Sequence, residues 1–208
     1  MAGDSYKTIL QTASGYYTEK RSRFLSYAIP VQTVEEVKAE LEKYRKRYYD
    51  ARHLCWAYML GSDRTVFRAN DDGEPSSTAG KPILGQINSN ALTDILILVV
   101  RYFGGIELGT SGLITAYRAA AAEAIASAEI IERTVDEEIT VTFEYPHLNS
   151  VMRIVKEDSP VVVSQRFDMD CRMTLRIRKG EAGRLKEKLQ KVETARLILE
   201  KEKFGDML

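Results

Sequence analysis

The run Ile95-Leu-Ile-Leu-Val-Val100 is apolar without a break. A run of this length predicts a central strand buried on both faces. Elsewhere the pattern is periodic. Val34, Val37, Leu41 and Tyr44 recur at helical spacing with Glu, Lys and Arg between them, and Thr33-x-x-Glu36 is a capping box ahead of them. A helix ending near Tyr48 follows from that. Residues 6–10 predict a short strand, Gly15 a turn, and Phe24-Leu-Ser-Tyr-Ala-Ile29 a strand ended by Pro30. In residues 52–60 both alternating sets are largely apolar, so this strand is expected to be covered on both faces. Gly61-Ser-Asp63 reads as a turn and 65–69 as the returning strand. Gly80-Lys81-Pro82 suits a helix start with Pro82 at its first position, and Ile83, Leu84 and Ile87 form the inward face. An Ala-rich helix follows from Thr110 or Ser111 as N-cap; its small side chains would let it pack close to a sheet.

A second unit is expected from Val135. Ile139, Val141 and Phe143 alternate with Glu138, Thr140 and Thr142, the period of a strand buried on one face. Pro146 opens a helix through Leu148, Val151, Met152 and Val155, and 161–167 form a strand. Cys171, Met173, Leu175 and Ile177 alternate with Arg172, Thr174, Arg176 and Arg178. Leu185, Leu189 and Val192 mark a helix, and 196–200 a last strand. The order βαββαβ is the split ferredoxin-like pattern. The fold class is therefore α+β, with domains at 1–133 and 134–208 and a boundary between Glu132 and Glu137.

Composition narrows the function classes. Of 208 residues, 44% are hydrophobic and 29% charged, as in an ordinary globular protein. Lys+Arg and Asp+Glu both number 30, so no global basic excess drives nucleic-acid binding. Any anion site must be local. Cys55 and Cys171 are isolated, which predicts reduced thiols. Residues 1–7 show no apolar signal-peptide core, and no apolar run is long enough to span a bilayer, so a cytoplasmic protein without membrane partners is expected.

Two loops flank the buried strand, and each leads into a helix start, where open N–H groups favour anions. The first is Asp71-Asp-Gly-Glu-Pro-Ser-Ser-Thr-Ala-Gly-Lys-Pro82. Ser76, Ser77 and Thr78 offer hydroxyls, Gly80 frees the backbone and Lys81 adds an ammonium, a set able to cradle phosphate. The same hydroxyls could instead cap the loop's own helix. The spacing is not that of a Walker A motif. The second loop carries Gly104, Gly105, Gly109 and Gly112 within nine positions, followed or interleaved by Thr110 and Ser111. Arg101 offers a planar fork for phosphate or carboxylate, and Tyr102 or Phe103 a stacking surface. Alternatively both aromatics are core and Arg101 pairs with an acid such as Glu74. Asp71, Asp72, Glu74 and Glu107 are weak candidates for Mg²⁺ or a base, with Asp72 and Glu74 foremost. His53 and Cys55 share a strand face, but few further ligands exist to join them. Arg172, Arg176 and Arg178 line one strand face and Lys179, Arg184, Lys186, Lys188 and Lys191 continue a basic run, which fits RNA or a merely solvated face.

The stretches Lys20-Arg-Ser-Arg-Phe24, Ala51-Arg-His-Leu-Cys-Trp-Ala57, 72–82 and Arg101-Tyr-Phe-Gly-Gly-Ile-Glu-Leu-Gly-Thr-Ser-Gly-Leu113 together resemble the YigZ/IMPACT family over nearly the whole chain. The resemblance implies a ribosomal protein S5 domain 2-like fold for 1–133 and a C-terminal ferredoxin-like domain similar to one of elongation factor G. It also implies RNA or ribosome association, and for the eukaryotic members translation control through a protein partner. Relative to the family pattern, Ser77 and Ser111 stand where glycine is usual, Glu107 where Lys is usual and Thr115 where Arg is usual; the last two remove positive charge. The leading expectation is a non-catalytic cytoplasmic protein, without cofactor, that binds RNA or the translation machinery. The alternatives are an enzyme acting on a phosphorylated small molecule or nucleotide with Mg²⁺, and a protein-interaction adaptor.

Overall fold

The computed structural model describes residues 4–198. The chain divides into two compact units, one from Ser5 to Arg133 and one from Thr134 onward that also takes Asp4.

In the first unit the elements are β1 (Ser5–Ile9), β2 (Ala13–Glu19), β3 (Ser22–Pro30), α1 (Val34–Arg47), β4 (His53–Leu60), β5 (Val66–Asn70), α2 (Gly80–Ser89), β6 (Ile95–Tyr102), α3 (Gly109–Ala126) and β7 (Ile130–Thr134). A five-stranded sheet has the order β2-β3-β6-β4-β5, and β1 pairs with β7. The apolar run is the central strand β6, antiparallel to β3 and β4. Its faces serve two cores. Ile95, Ile97 and Val99 pack with Ile83 and Ile87 of α2 and with Ala116, Tyr117 and Ala120 of α3. Leu96, Leu98 and Val100 pack with Val37 and Tyr44 of α1. Residues on both faces of β4 are buried too, as its double apolar pattern predicts.

Local chemistry sets the helix ends. The Thr33 hydroxyl accepts from the Glu36 N–H at 3.1 Å, and Glu36 reaches back to the Gln32 N–H at 2.7 Å. Other sequence expectations need correction. Gly15 does not turn the chain; it lies within β2, where a Cβ would come 2.5 Å from the Ala124 nitrogen and 2.7 Å from Glu123 Cβ. Its missing side chain lets α3 rest on the sheet. Pro82 is the third residue of α2, not the first, still within the turn whose N–H groups lack intrahelical partners. The N-cap of α3 is Leu108, so Thr110 and Ser111 lie inside its first turn.

The second unit runs β8 (Asp136–Glu144), a 3-10 turn (Tyr145–His147), α4 (Leu148–Asp158), β9 (Val161–Arg166), β10 (Asp170–Arg178), α5 (Lys179–Gln190) and β11 (Arg196–Ile198). Its sheet has the order β11-β8-β10-β9 with antiparallel neighbours. Cys171, Met173, Leu175 and Ile177 face the core with Val151, Ile154, Leu185 and Leu189. Pro146 belongs to the 3-10 turn, Met152 points outward with 39% exposure, and Val192 lies beyond the end of α5. Residues 199 and 200 of the expected last strand lie outside the described residues.

Two glycine substitutions separate close approach from ordinary helix propensity. Gly15→Ala should destabilise by about 1–3 kcal/mol, because the helix backbone must give way. Gly85→Ala, with nothing within 4 Å of the added carbon, should stabilise α2 by about 0.8–1 kcal/mol. Urea unfolding of both variants checks the pair of signs.

Candidate functional site

Strand parity brings a charge to the edge of the core. The alternation that buries Ile95, Ile97 and Val99 beneath α2 and α3 next presents Arg101 on the same face. Its neighbours across the sheet are Phe24 on β3 and His53 on β4. Arg101 has only 8% of its side chain exposed, and Glu74 of the first loop 3%. The Arg101 Nη1–H donates to Glu74 Oε1 at 2.6 Å, and the Tyr117 hydroxyl donates to the same oxygen at 2.8 Å. Tyr117 in turn packs edge-on against Phe24, with ring centroids 5.2 Å apart. The Cys55 thiol lies 3.3 Å from the Tyr117 oxygen and 3.0 Å from the Asp71 carbonyl oxygen, to which it donates. Burial, ahead of any neighbouring charge, pushes both the Cys55 thiol and the Tyr117 phenol well above their ordinary ranges. The pairing of Arg101 with Glu74 is therefore observed, but the other half of that alternative is corrected: Tyr102 and Phe103 are not both core, since they lie at the strand end where Phe103 is exposed and Tyr102 only half-buried.

The acids of the first loop are committed to the fold. Asp71 Oδ1 accepts from the Ala79 and Gly80 N–H groups at 3.0 and 2.8 Å, and Oδ2 from Ser77 at 2.8 Å. The expectation of open N–H groups at the start of α2 is corrected: a side chain of the loop itself already supplies the anion. Asp72 accepts from the Leu54 N–H at 2.6 Å and pairs with Arg45 at 2.8 Å, while its carbonyl accepts from His53 Nδ1–H at 2.8 Å. The Thr78 hydroxyl donates to the Pro75 carbonyl at 2.6 Å, so it closes a turn of its own loop. Ser76 and Lys81 are exposed, Ser77 is half-buried and Gly80 is buried. Ser77 sits at φ 66°, a conformation that glycine adopts without steric cost. Among the described residues no three His, Cys, Asp or Glu side chains are arranged to hold a metal ion.

The second loop differs. Gly104 approaches the β2–β3 turn so closely that a Cβ would lie 2.1 Å from the Arg21 carbonyl carbon. Gly105 and Gly109 have φ of 84° and 69°. No side chain caps α3 and no acid stands in its first turn. Gly109 and Thr110 at this helix end, together with Arg52, His53, Glu74, Pro75, Arg101, Phe103, Glu107, Leu108 and Leu113, line a cavity of about 440 Å³. Ser111 and Thr115 lie outside it, in a shallower depression with Lys20. Phe103 is 60% exposed, whereas Tyr102 is half-buried, with the Arg23 guanidinium 5.1 Å from its ring centre. Arg52 was not singled out in the sequence; it lies just before β4 and lines this cavity beside His53.

In the second unit, Arg176 pairs with Glu138 at 2.8 Å and Arg178 with Asp4 at 3.0 Å. Arg172 has a buried Nε without a hydrogen-bond partner. Arg166 and Arg196 join it through pairing that no sequence pattern displays: Arg172 is opposite Arg166 on one side and Thr142 on the other, and Thr142 is opposite Arg196. Arg166 also pairs with Asp168 at 3.3 Å.

No described helix is long and apolar enough to cross a membrane. The Asp71 contacts and the Cys55 burial each give a prediction. Asp71→Ala removes the acceptor of three N–H groups and should cost about 2–3 kcal/mol in urea unfolding. Cys55 should resist a thiol-specific reagent at about pH 8 in the native state and react only on unfolding, whereas rapid native labelling would contradict its burial.

The Impact N-terminal domain family model matches residues 20–125, which include both loops and the cavity. IMPACT family member YvyE of Bacillus subtilis is 34% identical over 74% of this chain and 70% of its own length. An IMPACT family member of Haemophilus influenzae is 31% identical over 90% of this chain and 92% of its own. Escherichia coli YigZ is 35% identical over 71% and 74%. A solved structure described as a hypothetical protein superposes with a TM-score of 0.70 at 28% identity, covering 95% of this chain and 98% of that one. A family model across both loops, and bacterial relatives matched through most of their length, lead to one conclusion: the chain belongs to the IMPACT family.

Proposed function

We propose that this protein is a non-catalytic binding protein of the translation machinery, and that its second unit contacts RNA. The observation that carries this reading is the arginine row Arg196, Arg172 and Arg166, with Thr142 between the first two, on the sheet face turned away from the Ile139–Ile177 core. Adjacent strands lie about 4.8 Å apart, so the row spans roughly 14 Å. Guanidiniums at that spacing, with the Thr140 and Thr174 hydroxyls bonded to each other in the next row, suit a phosphodiester backbone. Arg176 and Arg178 flank the row but are held by Glu138 and Asp4. No ring of aromatics interleaves these positions, so the contact is one of charge and shape with little base discrimination. The family resemblance points the same way, toward the translation machinery.

We read the first unit as S5 domain 2-like and the second as ferredoxin-like, with the domain boundary between Arg133 and Thr134. Support for the second assignment is the βαββαβ order with its first strand between the third and fourth. Support for the boundary is the division into two compact units.

Binding of labelled single-stranded RNA across a salt series tests the reading. Log K should fall linearly with log salt, with a slope of about −0.7 per neutralised phosphate. Arg172→Ala and Arg196→Ala should each reduce the slope's magnitude by up to about 0.7. Absence of binding at low salt, or an unchanged slope in the double variant, would contradict it.

A further inference from the structure

The cavity at the end of β6 carries features that the RNA reading does not use. Its floor is the N-terminus of an 18-residue helix without a side-chain cap. That end presents N–H groups and the positive pole of the helix dipole. A second feature lies at the same cavity, whose lining includes Arg101. Arg101 is more than nine-tenths buried, donates to Glu74 through Nη1, and keeps a buried Nε–H with no partner. A buried donor left unpaired is costly, and an added partner such as water or an anion relieves that cost. The contrast with α2 is informative: there Asp71 occupies the equivalent helix end from within the chain, and here nothing among the described residues does.

The walls narrow the ligand. The two guanidiniums of Arg52 and Arg101 are balanced by the carboxylates of Glu74 and Glu107. A balanced lining with one helix end accepts one oxyanion and opposes the charge of a polyphosphate. Leu108, Leu113 and Pro75 form an apolar side, and exposed Phe103 stands at the cavity with the Arg101 guanidinium 5.8 Å from its ring centre. That arrangement suits a flat or apolar body of a size that about 440 Å³ can hold.

We propose that this cavity binds a small organic molecule through a single oxyanion, phosphate monoester or carboxylate, seated on the α3 N-terminus and Arg101, with its body against Phe103. The site is distinct from the arginine row of the second unit, and neither proposal depends on the other.

The test is calorimetric titration of the full chain with AMP as the phosphate probe and phenylacetate as the carboxylate probe, with ATP and inorganic phosphate alongside. At least one of AMP and phenylacetate should bind saturably, and which one does so identifies the oxyanion. ATP should bind more weakly than AMP, and inorganic phosphate more weakly than the better organic probe. Thr110→Glu places a carboxylate in the first turn of α3, where it favours the helix but fills the anion position. This variant should melt at or above the wild-type temperature and bind the probe at least about tenfold more weakly. Phe103→Ala should weaken the organic probe while leaving inorganic phosphate unchanged. No binding of either organic probe up to about 10 mM would overturn the proposal. So would unaltered binding in a folded Thr110→Glu variant, or equal affinity for inorganic phosphate and the organic probe.

Discussion

The buried pair between Arg101 and Glu74 is the constraint on which the loop end of the first unit depends. Removing both charges from water is expensive, and the pair persists only with close geometry and further hydrogen bonds. Both are present. Glu74 Oε1 receives Arg101 at 2.6 Å and Tyr117 at 2.8 Å, and Tyr117 is itself fixed against Phe24. The pair thereby ties three separate pieces of chain: the loop after β5, the end of β6 and the body of α3. Its specificity value is geometric. A loop of turn-forming residues acquires one position relative to the sheet, and the cavity beside it acquires walls.

Once that loop is fixed, its other acids find defined partners. Asp71 closes the N-terminus of α2, and Asp72 bridges the β4 backbone and Arg45. A loop that resembles an anion receptor in composition thus supplies its own anion. The α3 end has no internal carboxylate in its first turn. The two loops therefore differ at their helix starts: α2 is closed by Asp71, and α3 by no side chain among the described residues.

Legibility followed the distance over which each feature is encoded. The central strand, the Thr33 capping box and the alternation of β10 depend on neighbours in sequence, and all three are present as read. Gly15 failed because a turn glycine and a close-approach glycine look alike until the helix that lies on it is known. β2 itself, with Ser, Gly, Thr and Glu among its seven residues, gives no clear apolar alternation. Leu108 stands as N-cap in place of Thr110 or Ser111, so the helix starts two or three residues earlier than the hydroxyls suggest, after a loop that turns through Gly109 at φ 69°. In the candidate sites, Arg101 with Glu74 was foreseen as one of two readings, since both stood in the singled-out loops. Asp71 as a helix cap, Arg52 in the cavity and Arg166 with Arg196 in one row all require register or loop geometry, which composition does not carry.

The direct test of this account is a double-mutant cycle on Glu74→Leu and Arg101→Met, read by urea unfolding. Each single variant leaves a buried charge uncompensated and should lose about 3–5 kcal/mol. The double variant replaces both charges with apolar groups and should recover most of that loss, giving a coupling energy above about 2 kcal/mol. Additive losses would show that the two side chains act independently, and would contradict the claim that their pairing organises the loop, the strand end and the helix.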